Sequence, residues 1–135
     1  MNMTRALCVV IVAAALSAAL PTASACGVCV EDKVAATYDH AVIERAIANG
    51  QQVVFVAVDG PVDGGALGRK IAKANVGGVV AGTVRVSAAP AAFSFVLDAR
   101  EEPARAVTGF RHALADPRAQ LTLVRIARDG RLMEP

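Results

Sequence analysis

Two cysteines three residues apart, Cys26 and Cys29, are the side chains with the clearest capacity for chemistry in this sequence. They stand in Ala23-Ser24-Ala25-Cys26-Gly27-Val28-Cys29, directly ahead of a run with helical spacing. Cysteines so placed can converge on one ion or on each other. Three chemistries follow: a soft-metal site, a structural disulfide, or a thiol–disulfide redox couple. If the chain is cut before Cys26, the new α-amine joins the two sulfurs in a donor set suited to Cu(I) or zinc.

The residues ahead of the pair bear on its compartment. Met1 to Arg5 carry one positive charge, Ala6 to Leu20 are apolar and uncharged, Pro21 interrupts the run, and Ala23-Ser24-Ala25 offers small residues to a signal peptidase. This three-part pattern predicts a secretory signal over residues 1–25 and a periplasmic or secreted protein. The apolar run of 15 residues is short for a bilayer span, which needs about 20. Lipid attachment at Cys26 is the alternative, against which Ala23 stands where a lipoprotein leader usually has leucine. In an oxidising compartment a Cys-x-x-Cys pair can also close as a plain bridge.

Removal of residues 1–25 leaves 110 residues, enough for one domain, with 13 basic and 12 acidic side chains because Arg5 departs. A net charge of +1 argues against nucleic acid as a partner. Arg125, Arg128 and Arg131 cluster near the C-terminus, where a solvated strand edge accounts for them. Two further residues invite a ligand role. His40 lies 11 residues beyond Cys29. In one straight helix that puts the two on one face but about 16 Å apart, so a solvated Asp39-His40 pair is expected rather than a shared ion. Met133, a conceivable thioether donor, is near the tail, and His112 reads as surface. No nucleophile elbow, P-loop or calcium loop is present, and no reaction is assigned.

The elements that must carry these residues follow from periodicity. Val30 to Ala48 reads as one helix, with Val34, Tyr38, Ala41, Val42 and Ile47 at three- and four-residue steps and Asn49-Gly50 as its stop. Val53 to Val58 is a continuous apolar run and reads as a strand buried on both faces. A Gly-rich loop, Asp59 to Gly65, leads to a helix over Ala66 to Ala74. Strands over Thr83 to Ser87 and Phe93 to Asp98, a helix from Pro103 to about Ala115 and a last strand over Leu121 to Ala127 complete the chain. Residues 26–50 thus form a Cys-x-x-Cys segment with its helix, and residues 51–135 the body of the domain. The expected fold is α+β, a ferredoxin-like βαββαβ four-stranded antiparallel sheet with an extra N-terminal helix. That helix covers the sheet face the other two leave open; a homodimer burying the same face is the alternative.

This order resembles the heavy-metal-associated domain family of copper and zinc chaperones and transporters. Gly82-Thr83-Val84-Arg85-Val86 is similar to that family's second strand, Phe93-Ser94-Phe95-Val96-Leu97-Asp98 to its third, and Pro103 to Ala115 to its second helix. The resemblance covers about half of the expected mature chain. The family carries its Cys-x-x-Cys in the loop after the first strand, whereas Asp59-Gly60-Pro61-Val62-Asp63-Gly64-Gly65 holds no cysteine. Its metal site would then be displaced to Cys26-x-x-Cys29-Val30-x-x-Lys33. The resemblance implies a small non-enzymatic protein that binds copper or zinc. The competing expectation is a disulfide-stabilised module that binds a periplasmic protein.

Overall fold

The structure, a computed structural model, describes residues 29–135. Helices α1 (Val30–Ala36) and α2 (His40–Ala48) come first, followed by β1 (Gln52–Asp59), α3 (Gly64–Lys73), β2 (Arg85–Ala88) and β3 (Ala91–Leu97). Helix α4 (Pro103–Leu114), β4 (Gln120–Arg128) and β5 (Arg131–Met133) complete the order. The five strands form one antiparallel sheet in the order β2-β3-β1-β4-β5. The fold is α+β, as the periodicity predicts.

β1 shows why a continuous apolar run means a strand covered on both sides. Successive side chains of a strand point to opposite faces. Val54, Val56 and Val58 join Leu67 and Ile71 of α3, Phe93 and Phe95 of β3, and Val107, Phe110 and Leu114 of α4 in one core. Val53, Phe55 and Ala57 join Val34 of α1, Ile43 and Ala46 of α2, Val96, Val124 and Ala127 in a second core on the other face. Phe110 packs edge-on to Phe93 and tilted to Phe95, each with ring centroids 4.9 Å apart, which closes the first core.

Three expectations need correction. The N-terminal helix is two helices, broken at Thr37–Asp39. Asp39 turns its carboxylate to the amide of Val42 (3.2 Å) and caps α2, while the Thr37 carbonyl accepts a bond from the buried Ser94 hydroxyl (2.9 Å). The sheet has five strands, because the Asp129-Gly130 turn, with φ of 52° and 73°, folds the tail back as β5. The arginines near the C-terminus are not a common solvated edge. Arg125 binds Glu31 (3.0 Å) and the Val124 carbonyl (2.7 Å), and Arg128 reaches the Gln52 amide oxygen (2.6 Å); Arg131 alone stands on the edge strand. Gln52 is fully buried and donates in turn to the carbonyls of Asp98 (3.2 Å) and Glu101 (2.8 Å), so Arg128 joins a part-buried polar network through Nη2 while its buried Nε has no partner among the described residues.

The remaining boundaries shift by a few residues. Asp63 caps α3 through the Ala66 amide (2.8 Å), so that helix starts at Gly64, inside the expected loop. Gly60, at φ 109°, sits directly against the Arg118 carbonyl, which requires glycine in the turn leaving β1.

Candidate functional site

Cys29 is the N-cap residue of α1. Its carbonyl accepts from the amides of Asp32 (3.0 Å) and Lys33 (3.2 Å), its thiol makes no capping bond, and the residue is exposed. Cys26 lies outside the described residues, as does the whole expected signal segment.

Two ion pairs and a buried contact hold this turn to the sheet. Lys33 crosses 26 residues of sequence to the carboxylate of Asp59, the last residue of β1, at 2.5 Å. Its side chain is only 12% exposed, so the aliphatic stem is packed while the ammonium meets the more open aspartate. Glu31 crosses 94 residues to Arg125 of β4. Val34, between them on the helix, is buried in the second core. The first turn of α1 therefore lies beside the C-terminal end of β1, where the chain enters the loop over residues 60–63. Both aspartates flanking that loop are engaged: Asp59 by Lys33, Asp63 as the cap of α3.

The other sequence-marked residues do not join Cys29. His40 opens α2 and pairs with Glu44 one turn later (3.1 Å), both well exposed. The break before α2 removes the straight-helix geometry from which its separation was reckoned. Among the described residues no group of three or more His, Cys, Asp or Glu side chains is placed to hold a metal ion. His112 is exposed in the last turn of α4, and Met133 is exposed on β5. Ser94 is buried and spent on the Thr37 carbonyl.

Alongside α1 lies a feature the spacing of residues does not announce. Tyr38 stacks on Phe55 with ring centroids 6.5 Å apart and planes within 10°, yet remains half exposed. Leu132 of β5 is 53% exposed opposite it. They separate two grooves, of about 370 Å³ toward Glu31, Val34, Ala35 and Arg125, and about 280 Å³ toward His40, Ile43 and Ile47. The helix pair covers the second face over β3, β1 and the Val124 and Ala127 positions of β4, and leaves the β5 edge open. Finding Leu132 and Arg125 here required knowing that the tail folds back as β5, which only the short Asp129-Gly130 turn hints at.

The carboxylate of Asp39 is held below its ordinary value, chiefly by the Val42 amide and then by Arg85, whose Nε lies 3.2 Å away. This pair ties the head of α2 to the outer strand β2.

The class these features define is a small α+β protein: one five-stranded antiparallel sheet between two pairs of helices, with an exposed cysteine at the start of the first helix. No protein-family model matches the chain, and neither a curated protein nor a solved structure matches it. Among the described residues no helix is long and apolar enough to cross a membrane.

Proposed function

We propose that this chain is an exported, non-enzymatic protein that binds a soft metal ion, Cu(I) or zinc, through Cys26 and Cys29. Its body is a ferredoxin-like unit like that of heavy-metal-associated domains, extended by the α1–α2 pair and by β5. Support for the unit comes from β1–α3–β2 and β3–α4–β4, two split crossovers with their helices on one face, and from the strand order β2-β3-β1-β4.

The observation that carries the metal reading is the placement of Cys29. An exposed thiol heads a helix that Lys33 ties to Asp59, at the end of β1 from which the heavy-metal-associated family hangs its cysteine loop. Cys29, the described residue of the displaced motif, stands near that end of the sheet, on the opposite face. Two thiolates are soft donors that suit Cu(I) and zinc. The donor set proposed is the two sulfurs and, once the leader is removed, the Cys26 α-amine. When bound, the ion would be carried rather than used for catalysis; the chain would offer the Cys29 thiol on a turn tied down by Lys33 and Glu31, with Cys26 as the second sulfur.

Protein with its natural N-terminus, reduced and titrated with Cu(I) against a chromogenic competitor, should take up one ion per chain. Cys29→Ser should abolish that uptake while leaving the melting temperature of the metal-free protein unchanged. Unchanged uptake by Cys29→Ser would overturn the metal reading.

The grooves beside Tyr38 and Leu132 favour a second reading, an interaction module whose Cys-x-x-Cys is a closed bridge. An intact mass two hydrogens below the reduced chain, with no ion taken up, would select it.

A further inference from the structure

A third pocket lies between α2 and the β2 side of the sheet, away from Cys29 and from the apolar grooves. It has a volume of about 220 Å³; Arg45, Asn49 and Gln51 from α2 and the following turn and Thr83 and Arg85 at the start of β2 give it polar walls, while Val42, Ala46, Val96 and residues 80–82 complete the lining.

The donors here exceed the acceptors. Arg85 spends Nε on Asp39 and Nη1 on the carbonyls of Gly82 (3.1 Å) and Val84 (3.3 Å), which leaves Nη2 uncommitted. Arg45, Asn49 and Gln51 bind no side chain or carbonyl among the described residues through their side chains, although all three line the pocket. The carbonyls that end α2 do not compete for them. Those of Arg45, Ala46 and Ile47 already accept from the amides of Asn49, Gln51 and Gly50. The negative end of the helix is thus capped by backbone. Among the described residues no acid lines the pocket; Asp39 is committed to Arg85 and Val42, and Glu44 lines the groove on the other side of α2.

The opposite wall is rigid. Val80 donates its amide to Val96 (2.9 Å), and Thr83 closes the turn by donating its amide and its hydroxyl to the Val80 carbonyl (3.3 and 2.6 Å), the same hydroxyl accepting from the Val96 amide (3.1 Å). Gly82, at φ 74°, gives this turn its left-handed residue. A cavity with one fixed wall, two guanidinium groups and two free amides suits a small planar or tetrahedral oxyanion, since a guanidinium fork matches carboxylate and phosphate oxygens in pairs. We infer that this pocket binds a small oxyanion, a carboxylate or a phosphate, with Arg45 as its principal charge and Arg85, Asn49 and Gln51 as further donors.

The test is a titration of the ¹⁵N-labelled protein, followed by amide and arginine Nε resonances, with sodium phosphate and separately sodium succinate at constant ionic strength held by sodium chloride. Saturable shifts of Ala81, Gly82, Thr83 and the Arg45 side chain are expected with at least one of the two anions. Arg45→Ala, an exposed position where alanine favours helix, should weaken that binding by about tenfold or more, as loss of a charge-assisted bond does, with its melting temperature retained. Glu44→Gln, on the far side of the same helix, should bind as the unmodified protein does. A response no different from that to chloride for both anions, or equal binding by Arg45→Ala, would overturn the assignment.

Discussion

Asp116 carries the most perturbed carboxyl group among the described residues. Arg118, two residues on, donates Nε (3.0 Å), Nη2 (2.9 Å) and its own backbone amide (3.0 Å) to it, and these bonds hold the group down to about 2 from its ordinary 3.8. Bonds that favour the ionised form depress the folded-state value, so their contribution to stability is complete above pH 4 and disappears as pH falls toward 2. The Asp116→Asn variant should melt below the unmodified protein at pH 6 and lose less on acidification from pH 4 to 2. Melting curves across that range check this, and parallel losses in both proteins would refute it. This pair follows a local rule, acid and arginine two apart in a turn, and such contacts can be read from sequence. So can Cys26 and Cys29 as a chemical pair. Lys33–Asp59 and Glu31–Arg125 cannot, because no spacing rule links residues 26 and 94 positions apart. The anchoring of the candidate site was therefore hidden while its cysteines were plain.

The break between α1 and α2 is the element that sequence periodicity conceals. Val34 and Ile43 are both buried in the second core, nine residues apart. At about 100° per residue they would face opposite ways on one straight helix, and only a reset of phase between them lets both face the sheet. The apolar steps through Tyr38, Ala41 and Val42 imitate an unbroken helix but trace a face that is largely not the buried one: Tyr38 and Ala41 are exposed, and Ile43 and Ala46 form the core instead. Asp39 makes the reset by capping α2 and by holding Arg85. Removing its carboxylate in Asp39→Ala should speed exchange of the Val42 amide and lower the melting temperature. Asp39→Asn, which keeps an acceptor for Val42 but not the charge toward Arg85, should fall between. Equal exchange in all three proteins would show that packing alone sets the break. The strands β1 and β3 were legible as apolar runs and α4 by its helical spacing, with Gly, Pro or Asp near their ends; β5, at three residues, is too short to show a pattern.

At the scale of the whole molecule, one strand belongs to two cores. β1 gives Val54, Val56 and Val58 to the helices α3 and α4, and Val53, Phe55 and Ala57 to α1 and α2. Loss of either core strips one face of the central strand, exposing apolar side chains that water disfavours by roughly 25 cal/mol per Å². The two layers should for that reason unfold together. Tyr38 is the single tyrosine and the chain has no tryptophan, so its fluorescence reports on the α1–α2 layer alone, stacked as it is on Phe55. Far-ultraviolet circular dichroism reports on the sheet and on α1 to α4 together. In urea the two signals should trace one transition with a common midpoint. Ile43→Ala, which empties a buried site under α2, should cost about 2–5 kcal/mol and move both midpoints down together with little change in slope. If Tyr38 instead reports an earlier transition that leaves most of the dichroism intact, the helix pair that carries Cys29 is a separable layer. Cys29 would then sit on a part of the molecule able to detach from the sheet, and the anchoring of its turn by Lys33 and Glu31 would fail with it.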